Sequence, residues 1–106
     1  MDPLESEFES RLRDSIGESI RLGYNPTRIA EMINVHGGKN TARLLVKSGE
    51  IQDGLRRVVE MGHRELSVES IMLEARFAPP FFTEEELTAA QWRLDHAKER
   101  VREDGG

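Results

Sequence analysis

The sequence predicts an all-α fold, a compact bundle of five to six helices whose short central members end on glycine. Three observations carry this expectation. Apolar residues recur at three- and four-residue steps along most of the chain, the period of a helix with one buried face. No segment alternates apolar and polar residues over strand length, and no Asn-Gly or Asp-Gly pair sits between apolar runs, Asp53-Gly54 lying inside a helical pattern. Gly23, Gly37-Gly38, Gly49 and Gly62 each follow a periodic segment, where a helix stop is expected. The 106 residues suit one domain, expected over 1–102, with 103–106 as a disordered tail.

In the first helix, from about Leu4 to Leu22, the residues Leu4, Phe8, Leu12, Ile16 and Ile20 lie four apart. Each step advances about 400°, so they form a slowly drifting stripe. Glu5, Glu7 and Glu9 near the start and Arg21 at the end suit the helix dipole. Gly17 costs about 1 kcal/mol relative to alanine mid-helix, and marks either a close crossing or a locally weak helix. Asn25-Pro26 opens a second helix, with Asn as N-cap, Pro at the first helical position, and Ile29, Met32, Ile33 and His36 on one face.

A third helix is expected over about 40–48, with Ala42, Leu44, Leu45 and Val46 as its apolar content. A fourth runs from about Ile51 to Met61, with Ile51, Leu55, Val58 and Val59 inward. Ser67 caps a fifth, carrying Val68, Ile71, Met72 and Ala75. Arg76 to Phe82 contains Pro79 and Pro80 and is expected to be irregular. Thr83 to Glu86 reads T-x-x-E, a capping box, with Phe82 and Leu87 spaced as a hydrophobic staple. The last helix then extends to about Arg102, burying Leu87, Ala90, Gln91, Leu94, Ala97 and Val101.

Leu, Ile, Val and Phe make up about a quarter of the residues, enough for a folded core. With no cysteine, disulfides, thiolate metal sites and a cysteine nucleophile are excluded, which fits a reducing compartment. No apolar run is long enough for a membrane span, and the acidic start (Asp2, Glu5, Glu7, Glu9) is unlike a secretory signal, so a cytoplasmic location is expected. The formal charge of -5 is unevenly spread. Residues 1–10 carry -4, 11–47 carry +4, 48–86 carry -5, and 87–106 balance. A polyanion would therefore bind, if anywhere, at 11–47.

That basic block also holds a helix-turn-helix-like segment, 26–48. Ile29, Ala30, Ile33 and Val35 have the spacing of an inward face, and the following helix would offer Lys39, Asn40, Thr41, Arg43 and Lys47 outward, with Arg28 nearby, to DNA. The usual short turn would point Asn40 and Arg43 inward; only with the two extra residues Gly37 and Gly38 do Ala42 and Leu45 take that place. The plainer reading is a pair of short helices in an ordinary helical domain.

No catalytic arrangement emerges. His36, His63 and His96 lack metal-site spacing, no serine lies in a G-x-S-x-G or S-x-x-K context, and no phosphate-binding glycine loop is present. The chain is therefore not expected to be an enzyme, or to need a cofactor, metal or small-molecule substrate. Trp92 lies about 180° from the apolar stripe of the last helix once Gln91 is set aside, and His96 stacks one turn beyond it. With Phe81 from the aromatic linker, these are the candidate protein-binding residues, set against the plainer reading in which the phenylalanines plug the core.

The runs G-Y-N-P-T-R (Gly23–Arg28), H-G-G (His36–Gly38), A-R-L-L (Ala42–Leu45), L-S-V-E (Leu66–Glu69) and F-F-T-E-E-E-L (Phe81–Leu87) resemble a family of small bacterial helical proteins, whose module also occurs attached to restriction-type nuclease domains. The resemblance spans about residues 22–95. It implies a bacterial cytoplasmic accessory protein linked to nucleic-acid processing or defence, and transfers no catalytic residue. The expected function is a non-catalytic helical module that binds another protein or itself, with DNA binding through 26–48 as the alternative.

Overall fold

The computed structural model describes residues 2–47 and 53–105, and the side chains among them except at 53 and 98–105. Among the described residues seven α-helices follow in order: α1 (Pro3–Arg21), α2 (Thr27–His36), α3 (Gly38–Lys47), α4 (Asp53–Glu60), α5 (Val68–Met72), α6 (Ala78–Phe81) and α7 (Glu84–Gly105). A 3-10 turn at Arg64–Leu66 precedes α5, and no strand occurs among the described residues. The fold is the predicted all-α bundle. The end of the third helix at Ser48, the stop at Gly49 and the start of the fourth at Ile51 lie outside the described residues, as do the side chains of the expected tail.

Helix α1 begins where Asp2 accepts a hydrogen bond from the Leu4 amide at 2.8 Å, ahead of a proline in the first turn. Its buried face rotates along the helix. Phe8 and Leu12 are buried, Leu4 and Ile16 are half-buried, and Ile20 is 50% exposed. Four-residue steps overshoot one turn by about 40°, so by Ile20 the stripe has turned away and Ser15 and Ser19 have replaced it. Both serines satisfy their hydroxyls there. Ser15 Oγ donates to the Leu66 carbonyl at 3.0 Å, and Ser19 Oγ donates to the Ser15 carbonyl at 2.9 Å.

Helix α2 starts one residue later than expected, after a buried Pro26, and no side chain caps it. Ile33 is buried, whereas Val35 is 75% exposed and His36 is also exposed, so neither belongs to the inward face expected of it. The two residues that follow divide the work. Gly37, at φ +82°, makes the left-handed turn that ends α2, a conformation L side chains rarely adopt. Gly38 is already helical and lies against α1. A Cβ at Gly38 would come within 3.0 Å of the Glu9 Cα and 3.2 Å of a Leu12 methyl, and its amide donates to Glu9 Oε1 at 3.0 Å. Glu9 thus caps the open N-terminus of α3 from a neighbouring helix.

Gly17 shows the opposite environment, exposed with no atom within 4 Å of an added Cβ, so it marks the locally weak helix rather than a crossing. Gly17→Ala is expected to raise stability by about 0.5–1 kcal/mol, and Gly38→Ala to lower it by about 1–3 kcal/mol through overpacking. Urea denaturation followed by circular dichroism reads both, and a Gly38→Ala variant as stable as wild type would refute the close approach.

The short central helices pack against the long terminal ones. Helix α3 lies against α1 and α7, α5 against both as well, and α4 against α7. The main core joins Phe8 and Leu12 of α1, Ile33, Ala42, Leu45 and Val46 of α2 and α3, Val68, Ile71 and Met72 of α5, and Phe77, Phe81 and Phe82. A smaller cluster holds Leu55, Leu94 and Ala97. The segment expected to be irregular contains the single turn α6. Pro79 and Pro80 fall in its first turn, where backbone amides have no intrahelical acceptor, so the missing N–H groups cost nothing.

Candidate interaction groove

The entrance to α7 is locked as its sequence predicts. The Glu86 amide donates to Thr83 Oγ1 at 3.1 Å, and the Thr83 amide donates to Glu86 Oε1 at 2.9 Å. Phe82 is buried beside this cap, and Leu87 packs against the same core. Glu86 also pairs with Arg43 of α3 at 3.4 Å, tying the two helices together at this end.

The inward face of α7 comprises Ala90, Arg93, Leu94 and Ala97. Gln91, expected on this stripe, is exposed, and Arg93 takes its place, 2% exposed. The charge of Arg93 is met by Glu69 on α5, itself 3% exposed, at 2.8 Å. Arg93 Nη2 remains shielded from solvent with no hydrogen-bond partner. This pair is not among the features expected from the sequence. Its signal was present: Arg93 lies one turn from both Ala90 and Ala97, and Glu69 sits between apolar residues in L-S-V-E-S-I-M.

Opposite that stripe, Trp92 is 51% exposed. His96 stacks on the indole with ring centroids 4.1 Å apart and 17° between planes, and its Nδ1 lies 2.8 Å from the Trp92 carbonyl oxygen. Beside Trp92 a groove of about 890 Å³ opens between α3 and α7, lined by Val46, Thr83, Glu84, Glu85, Thr88, Ala89, Trp92 and Arg93. Val46, Ala89 and Trp92 supply an apolar surface, while Glu84 and Glu85 are exposed and form no ion pair among the described residues.

Phe81, offered as a third anchor, has to be corrected. It is 5% exposed, stacked with Phe77 at 6.2 Å and edge-on to Phe8 at 6.0 Å, because the α6 turn carries it into the core. The residues considered for DNA contact do not form one open basic face. Lys39 Nζ lies 3.4 Å from Glu5 Oε1 and over the Phe81 ring, and Arg43 donates to the Phe81 carbonyl at 2.9 Å besides its pairing with Glu86. Asn40 donates its amide to the His36 carbonyl at 3.2 Å. Arg28, in the first turn of α2, and Lys47, the last residue of α3, are exposed. Thr41, expected to face outward, is fully buried together with Ala42, Leu45 and Val46, so α3 shows solvent a narrow strip of Asn40, Leu44 and Lys47.

The histidines engage different neighbours. His63 Nδ1 lies 2.9 Å from Glu65 Oε2, a hydrogen bond that holds the Glu65 carboxyl below its ordinary range. No group of three side chains suited to a metal ion occurs among the described residues, and no helix among them is long and apolar enough to cross a membrane. No protein-family model, curated protein or solved structure matches the chain.

Proposed function

We propose that this chain is a non-catalytic helical interaction module that binds another protein chain, a second copy of itself included, through the groove beside Trp92. The observation that carries the reading is a half-exposed tryptophan next to an apolar groove, on a helix held by a reciprocal cap and a buried ion pair. Large aromatic side chains lose little entropy on docking and dominate interface energetics. The bacterial accessory role implied by the resemblance of its motifs agrees with such a module. The DNA reading draws less support, because Lys39 and Arg43 are neutralised by carboxylates of the same chain.

Selection of a random peptide library on the immobilised full chain tests the proposal. Selected peptides are expected to bind Trp92→Ala at least about tenfold more weakly than wild type. The substitution should leave stability within about 1 kcal/mol, because Trp92 lies outside the core. A library that gives no ligand dependent on Trp92 overturns the reading.

A further inference from the structure

The partner's chemistry can be narrowed further, on the assumption that the groove is the docking site. We infer that it accepts a basic peptide segment, one that seats an apolar side chain against Val46, Ala89 and Trp92 and places lysine or arginine opposite Glu84 and Glu85.

Charge complementarity argues for this occupant. Several surface carboxylates pair with cations of the same chain, Glu5 with Lys39, Glu9 with Arg13, Glu74 with Arg11, Glu7 with Arg76 and Glu86 with Arg43, while Asp14, Glu31, Glu60 and Asp95 stand exposed outside the groove. Glu84 and Glu85 have no such cation among the described residues, and they line the same groove as the exposed indole. The capping box needs only Glu86; Glu84 and Glu85 share the first turn of α7, where carboxylates also suit the positive end of the helix dipole. The one cation of the groove, Arg93, is already neutralised by Glu69, leaving the lining net negative. An acidic ligand would meet like charge there, and a neutral one would leave both carboxylates uncompensated.

Trp92 is the only tryptophan in the chain, so its fluorescence reports on the groove directly. The full-length protein is titrated with a synthetic amphipathic peptide of leucine and lysine, and with counterparts carrying glutamine or glutamate at every lysine position. The leucine–lysine peptide is expected to shift the emission saturably and to bind about tenfold or more tightly than the glutamine form. The double variant E84Q/E85Q should weaken it about 5- to 10-fold, whereas E31Q/E60Q, the same charge change at exposed glutamates outside the groove, should weaken it less than about twofold. The inference is overturned if the glutamine or glutamate peptide binds as tightly, if both double variants lose affinity equally, or if the leucine–lysine peptide gives no saturable shift. Library peptides that depend on Trp92 yet carry no basic residue would refute it while leaving the proposed function intact.

Discussion

Glu69→Leu is expected to lower the unfolding free energy by about 3–5 kcal/mol, because it strands the Arg93 guanidinium in the protein interior. Glu69 and Arg93 are 3% and 2% exposed, and their 2.8 Å contact joins α5 to α7. Helix α5 has only five residues, too few for backbone hydrogen bonding to hold it without tertiary support. Leucine in place of Glu69 leaves a buried cation whose Nη2 already lacks an acceptor, now with neither partner nor water. The second half of the cycle decides the cause. With Glu69→Leu and Arg93→Met combined, no buried charge remains and the volumes are roughly kept, so stability should return to within about 1–2 kcal/mol of wild type. Circular dichroism in urea measures all variants, since the exposed Trp92 is a poor reporter of the core. A double variant no more stable than the single one would show that α5 itself cannot tolerate the change, and would remove the ion pair as the explanation.

Phe8→Ala is expected to cost about 3–5 kcal/mol for a different reason, the loss of packed volume. Phe8 is fully buried, and the rings of Phe77, Phe82 and Phe81 meet it edge-on at 5.1, 5.5 and 6.0 Å. Three of these four rings come from one short stretch, 77–82, anchored to α1 chiefly through Phe8. Removing the ring opens a cavity and frees that stretch. Amide exchange over 77–82 should therefore accelerate more than exchange within α1, and Phe8→Leu should recover most of the loss. Uniform acceleration across the whole chain would contradict this local account.

Much of the fold was legible locally. The capping box at Thr83–Glu86 depends on four residues and their own backbone, and it forms as the sequence predicts. The outward direction of Trp92 follows from helical geometry alone, since it requires only that the apolar stripe face inward. Ile20, Val35 and Gln91 went the other way, because a spacing rule sets relative angles along one helix and not where its neighbours end. The site was half legible for the same reason. Trp92 and His96 come from one helix and are read from its period, whereas Val46 belongs to the groove only because α3 packs against α7.

Interactions within a few residues set most of the division into helices, the stops at Gly23, Gly37 and Gly62, the caps at Ser67 and at Thr83–Glu86, and the outward tryptophan. Tertiary structure alone decided three things. It carried Phe81 into the core through the α6 turn, it made Gly38 the contact between α1 and α3 rather than half of a stop, and it paired Glu69 with Arg93 across 24 residues of chain. Each depends on which surfaces are excluded from water together. Burial is a property of the assembled bundle, and the cost of an unpaired charge or an added methyl group arises only once the bundle has formed.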